Sequence, residues 1–369
     1  MLNSTDVFVI GGGPAGLATA IAARRQGFRV VVADGAKPPI DKACGEALMP
    51  DAITALERLG IAVPVAEARP VCGVRFLGSG LSAEADFPSG NRGLSIRRTA
   101  LHRIMTERAA ALGVDLLWKT AVTGISREQV QLGERTIRTR WIVGADGANS
   151  RVRRWANLNA HSRTSLRYAF RRHYRMRPWT DRMEIYWGKH SQGYATAVSN
   201  EEVCVAVASH DPDLRLEESL LAFPDLTARL RGAETASAER GSLSANRKLK
   251  RVWRGNVALI GDASGTVDAI TGEGLGLAFS QAVALADCLG SGNLAGYETA
   301  HHRLSRRPLL MARLMLTLDG RPGFQQRTLQ VFRKHPEVFH RFLALHVGSL
   351  SPFCLALDGL TLGWGLLTA

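Results

Sequence analysis

Cysteine in metal-binding spacing is missing from this chain. Its five cysteines, at 44, 72, 204, 288 and 354, are odd in number and contain no C-x-x-C pair. That pattern excludes a zinc ribbon and fits free thiols in a reducing compartment. The ten histidines form no H-E-x-x-H, so no metal site is expected. Lysine is scarce as well: seven of the 47 basic residues are Lys, and Arg supplies almost all of the net charge of +14. The arginines cluster briefly at Arg151, Arg153 and Arg154, at Arg171 and Arg172, and at Arg306 and Arg307, in no nucleic-acid-binding motif. The excess is therefore read as a solvated surface, with no nucleic-acid partner. Long apolar runs are few. The stretch 348–369 is interrupted by Pro352, Asp358 and glycines, which favours a packed or lipid-facing terminal helix over a membrane span. The opening "MLNSTDVFVIGGG" has no basic segment before its apolar run and reads as a strand, so a cytoplasmic protein is expected, with peripheral membrane contact kept open.

What is present is a chain of 369 residues, 46% hydrophobic, large enough for two or three interdependent domains. "DVFVIGGGPAGLATAIAARRQGFRVVVADG" gives an apolar strand, Gly11-x-Gly13-x-x-Gly16, an Ala-rich helix and a second strand ending at Asp34. This is a dinucleotide fingerprint in its proper context: glycines for a tight turn and close approach to a pyrophosphate, an acid for a ribose hydroxyl. A loop with Cys44, Gly45 and Glu46 follows, then a strand end with Arg97 and Arg98. Further on, the strand Trp141-Ile142-Val143 leads to Asp146-Gly147, with Ser150 and Arg153 at fixed spacing. Far downstream, "GDASGTVDAITGEGLGLAF" repeats the design of a strand end running through glycines into a helix start, which suits a flat or anionic ligand.

These three motifs, in this order, resemble the FAD-dependent oxidoreductases that include aromatic hydroxylases and geranylgeranyl reductases. The matched regions, 1 to about 155 and about 253 to 290, cover over half of the chain. The resemblance implies an α/β fold: a Rossmann-like FAD-binding domain of the glutathione-reductase type formed by 1–72, 92–158 and 253–300. A mixed or antiparallel sheet domain for substrate, 73–91 and 159–252, would be inserted into it, and 301–369 would be a helical region. It also implies that the two distant sites hold opposite ends of one FAD. Gly11, Gly13, Pro14, Ala15 and Gly16 would line the pyrophosphate and Asp34 would hold the adenosine ribose. Arg98, through its R-x-x-L match, and Asp146 would also touch the cofactor. Gly261 and Asp262 would take the ribityl chain, and Gly272, Gly274 and Leu275 the flavin end. Arg97 is read as a neutral neighbour. NAD(P)H is the expected electron donor, with a partner protein as the alternative.

For the chemistry, Cys44 is expected beside the isoalloxazine, with a small buried residue as the alternative reading. Glu46 and Glu273 are candidates to relay a proton, and His173 to face substrate. "SLRYAFRRHYRM", "RMEIYWGKH", "QGYATAVS" and "EVCVAVAS" read as a four-stranded meander. Alternation puts Tyr168, Phe170, Arg172 and Tyr174 on one face and Arg171, His173 and Arg175 on the other. The G-Y-x-W-x-F-P run of geranylgeranyl reductases and the W-x-W-x-I-P run of halogenases are absent. The leading expectation is a flavin monooxygenase acting on a lipophilic aromatic or polyketide-like molecule. A carbon–carbon double-bond reductase for isoprenoid lipids comes second, and an electron-relay flavoprotein docked on a membrane by its Arg-rich helical end third. Nothing in the sequence fixes the oligomeric state.

Overall fold

The computed structural model describes residues 3–163 and 165–351. Its first layer is a parallel sheet with strand order Val257–Leu259, Arg135–Gly144, Ser4–Ile10, Val30–Asp34, Asp115–Trp118. Strands buried on both faces need continuous apolar runs, and Val7 to Ile10 and Val30 to Ala33 supply them. Helix α1 (Pro14–Arg25) follows the first strand, then α2 (Pro50–Arg58), α3 (Arg98–Ala111) and the short α4 (Arg151–Trp155). The close packing of α1 on the sheet depends on glycine. A Cβ on Gly16 would lie 1.9 Å from the Gly11 carbonyl oxygen, and one on Gly11 would lie 2.4 Å from that of Ala145.

The second sheet runs in the order Glu234–Thr235, Arg167–Arg175, Glu202–Ser209, Ser191–Ala197, Met183–Trp187, Gly73–Gly78, Leu81–Asp86. The four expected strands are present, but they do not form a simple meander. Arg167–Arg175 pairs with Glu202–Ser209, because 176–182 carries the chain across the sheet to lay Met183–Trp187 parallel to Gly73–Gly78. The two predicted faces of Arg167–Arg175 also have unexpected neighbours. Tyr174, with Phe170 beside it, packs on Leu216, Leu220, Phe223 and Leu226 of α5 (Leu216–Leu220) and α6 (Pro224–Leu230) and the residues around them. The aromatic face is thus largely covered by helices that the sequence reading did not identify.

Helix α7 (Gly274–Gly290) returns to pack on α1 and α2. After it come α8 (Leu294–Leu318), α9 (Pro322–Lys334) and α10 (Pro336–His346). α9 and α10 lie on Gly73–Gly78 and Leu81–Asp86, burying Phe76, Trp187, Phe332 and Phe339 in one cluster. Among the described residues no helix is long and apolar enough to cross a membrane. Cys44, Cys72, Cys204 and Cys288 are free thiols. Cys354 and most of the terminal stretch expected to be a helix lie outside the described residues.

Candidate functional site

A cavity of about 930 Å³ opens at the carboxyl ends of the parallel strands and extends to the second sheet. Helices α1 and α7 begin at its wall with no acidic residue in their first turns, so two positive helix ends face the same space. Gly11, Gly13, Pro14 and Ala15 line it at α1, and Gly272, Gly274 and Leu275 at α7. Gly16 does not line it and serves the packing of α1. Among the described residues an added Cβ at Gly13 or Gly274 would meet nothing within 4 Å, and the buried Nε of Arg98 has no hydrogen-bond partner. These gaps suit a long, flat, diphosphate-bearing ligand such as FAD, whose two ends the two helix termini would hold.

Asp34 sits at the end of its strand on the cavity wall, accepting the Gly12 and Ala36 N–H groups at 2.7 Å each. His102, missed in the sequence, donates from Nε2 to the Gly12 carbonyl at 2.8 Å and fixes the same turn from behind. Burial holds its imidazole below the usual pKa. Its signal was its place directly after the Arg98-x-x-Leu101 motif. Asp146 borders the cavity, but its carboxylate is committed to α4, accepting the Ser150 hydroxyl and the Arg151 and Val152 N–H groups. Arg153 spans from this turn to the third motif, donating to the carbonyls of Ala148 at 2.8 Å and Ala263 at 3.1 Å. Gly261 adopts φ 57°, where a Cβ would come within 2.7 Å of the Ala15 Cβ. The Gly-Asp turn is therefore glycine-dependent because it abuts α1. Asp262 lines the cavity and pairs with Lys42 at 2.8 Å, a second residue that sequence reasoning missed.

The loop of Cys44, Gly45 and Glu46 forms another part of the wall. The Glu46 N–H donates to the Cys44 Sγ at 3.4 Å, and the Cys204 thiol donates to the Cys44 carbonyl at 3.6 Å. Glu46 has φ 60°, and its carboxylate is sealed behind the wall. It accepts the Arg98 N–H at 2.9 Å and faces His173 Nε2 at 2.6 Å, with side-chain exposures of 1% for Glu46 and 0% for His173. His173 does not border the cavity, contrary to expectation, because its strand is buried against this loop. Arg97 is not a neutral neighbour: it meets His173 Nδ1 at 2.5 Å and pairs with Glu202 at 2.9 Å. Arg171 also donates to Nδ1, at 3.1 Å. Guanidinium groups only donate, so Nδ1 accepts and the ring proton sits on Nε2, directed at Glu46. Glu46, His173 and Cys204 come together like metal ligands, but an Nε2 that carries a proton is not one.

Glu273 also departs from expectation. It lies beside the cavity turn but faces away from it, 3.5 Å from Arg307 of α8 and 3.6 Å from His346 of α10. Burial pushes its pKa up to about 8, and the negative charge of Asp51 adds to the effect against the pull of Arg307. Of the expected aromatic face, Phe170 reaches the cavity, while Arg172 pairs outward with Glu217 and Glu239.

Comparison with known proteins agrees with this geometry. The FAD binding domain family matches residues 4–302. The chain is 30% identical over 360 residues to a menaquinone reductase of Mycolicibacterium smegmatis, covering 89% of this chain and 88% of that one. It is 28% identical over 299 residues to digeranylgeranylglycerophospholipid reductase 1 of Methanothermobacter thermautotrophicus, 74% of each chain. In fold it is similar to a flavoprotein/dehydrogenase from Cytophaga hutchinsonii, at TM-score 0.84 and 19% identity over 99% of this chain and 98% of that one. It is also similar to PqsL, a probable FAD-dependent monooxygenase from Pseudomonas aeruginosa, at TM-score 0.68 and 23% identity over 92% of this chain and 99% of that one. With three motifs from distant parts of the sequence built around one cavity, this chain belongs to the FAD binding domain family and is an FAD-dependent oxidoreductase.

Proposed function

We propose that this flavoenzyme reduces a carbon–carbon double bond in a lipophilic molecule with an extended apolar tail, drawing its electrons from NAD(P)H. The observation that carries this reading is a second, apolar chamber that shares Met183, Ile270 and Thr271 with the large cavity. Met49, Met183, Met311 and Met315 line it together with Phe76 and Phe342. At about 30 Å³ it holds little as it stands. Methionine side chains, however, adapt to irregular apolar ligands, so the chamber can open for a tail while the reacting carbons stay in the main cavity. The names of the two reductases above favour the same choice over the hydroxylase reading.

Once reduced by NAD(P)H, bound FAD would supply a hydride to such a bond. The positive ends of α1 and α7 would hold the cofactor, and the Asp262–Lys42 pair would border its middle. Cys44 lines the cavity and is partly exposed, while Lys42 on the same segment is engaged with Asp262. Cys44 is placed to give the second hydrogen as a proton, and the Glu46 N–H would then stabilise the sulfur that remains. The Glu46–His173–Arg97 clamp fixes the loop and takes no part in proton transfer.

The test is anaerobic incubation of FAD-loaded, NADPH- or dithionite-reduced protein with a polyprenyl naphthoquinone and with a geranylgeranyl lipid. The expected product is heavier by two hydrogens. Cys44→Ala should slow its formation about a hundredfold, a usual size for a lost general acid, with FAD content and thermal stability retained. A product heavier by one oxygen, formed only in air, would instead establish hydroxylation.

A further inference from the structure

We infer that the exposed face of α8, continued by the α8–α9 turn, docks on an anionic lipid surface. Arg303, Arg306, Leu310, Arg313 and Leu314 are exposed and recur at helical spacing along α8, with Thr299 and Thr317 at either end, so they form one stripe. Arg321 and Phe324 extend it into the start of α9. Leu310, Leu314 and Phe324 are 39%, 41% and 44% exposed, and among the described residues few large apolar side chains stand out in this way. Their neighbours on the stripe are arginines. The acid that follows in sequence, Asp319, turns its side chain inward, 6% exposed, against Arg167 and His210. From 294 to 346 the sequence carries nine basic and three acidic residues, a net charge of +6.

Apolar side chains flanked by arginines on one helix face match the boundary between lipid headgroups and acyl chains. Leucine and phenylalanine enter it, while the guanidinium groups reach the phosphates and keep their stems in the apolar layer. A protein partner with an acidic groove would offer the charge, but it would also need a cleft for three apolar side chains spread over about 20 Å of helix and turn. A bilayer needs only a surface. The opposite face of α8 carries Met311 and Met315 into the apolar chamber, so docking would bring the chamber close to the membrane. The surface stands by itself as an observation, whatever reaction the cavity performs.

The experiment is co-sedimentation of the FAD-loaded full chain with phosphatidylcholine vesicles, with and without phosphatidylglycerol. Binding is expected to the anionic vesicles and to weaken at least tenfold when about 0.1 M salt is raised to 1 M. Leu310→Glu with Leu314→Glu should lower partitioning at least tenfold while flavin absorbance and thermal stability are kept, since both positions are exposed. Arg303→Gln, Arg306→Gln and Arg313→Gln should each weaken it severalfold, and only on anionic vesicles. Equal binding to both vesicle types would overturn the proposal. Full binding by the Leu310→Glu, Leu314→Glu chain would also overturn it, assigning the contact to the apolar stretch 348–369. A dimer in lipid-free buffer that this double substitution dissolves would assign the stripe to a second copy of the chain.

Discussion

At the residue scale, two glycines three positions apart have opposite roles. A Cβ on Gly16 would meet the Gly11 carbonyl oxygen at 1.9 Å, a backbone contact that cannot yield, whereas a Cβ on Gly13 would meet nothing within 4 Å. Gly16→Ala should therefore abolish folding or lower thermal stability sharply. Gly13→Ala should leave apoprotein unfolding unchanged and weaken FAD binding at least tenfold, roughly 1.4 kcal/mol, because its methyl group enters the space before α1. Unfolding of the apoproteins and a flavin titration separate the two, and undiminished FAD affinity in Gly13→Ala would remove the pyrophosphate from this turn. The spacing of the glycines was legible in the sequence, but not which of them faces the ligand. Lys42 and Cys204 were not legible because each is an isolated residue whose partner is a distant motif or a backbone atom, and His102 was marked only by its place after Arg98-x-x-Leu101. Glu46 lies in a loop that lines the cavity. The partner of its carboxylate was not legible, since only the fold brings His173 to it.

At the element scale, the strand Arg167–Arg175 is tied to the turn before α7 by an ion pair with no exposure on either side. Arg167 Nη2 meets Asp268 Oδ1 at 2.6 Å, and the same carboxylate accepts Ser244 Oγ at 3.0 Å, Ser165 Oγ at 3.0 Å and the Ile270 N–H at 3.1 Å. Burial alone would raise the Asp268 pKa, but the charge and hydrogen bonds of Arg167 hold it below the usual range. Asp268→Ala leaves a guanidinium buried without its main partner, so a loss of about 3–5 kcal/mol is expected. Adding Arg167→Met should restore part of it. Denaturant unfolding of the two single variants and the double variant measures the coupling, and strictly additive losses would contradict it. Alternation along Arg167–Arg175 correctly divided its side chains into two faces. Strand order was not legible, because pairing with Glu202–Ser209 depends on a crossing segment that leaves no periodic signal. Nor could the sequence show which face meets the cavity, since α5 and α6 decide that.

At the scale of the whole molecule, Glu273 lies where α2, α7, α8 and α10 meet, near the charge of Asp51, with its two oxygens 3.5 Å from Arg307 and 3.6 Å from His346. Burial raises its pKa from 4.5 to about 8, so the native state holds a proton there that the unfolded chain gives up. Its contribution to stability is complete below pH 4.5, declines as pH rises toward 8, and is level above that. His346 acts at the other end. Burial lowers its pKa from 6.5 to about 4, so its contribution is complete above pH 6.5 and is lost as pH falls toward 4. Glu273→Gln removes the first effect and leaves the second. It should raise stability at pH 8.5 by roughly 4 kcal/mol, about 5 °C in Tm for a chain of this size. The gain should shrink toward pH 5, where both side chains are neutral. Thermal unfolding of the two FAD-loaded proteins from pH 4 to 9 would show the curves converging at low pH and separating at high pH. Parallel curves would mean that Glu273 keeps an ordinary carboxylate charge and that Arg307 neutralises it at this junction.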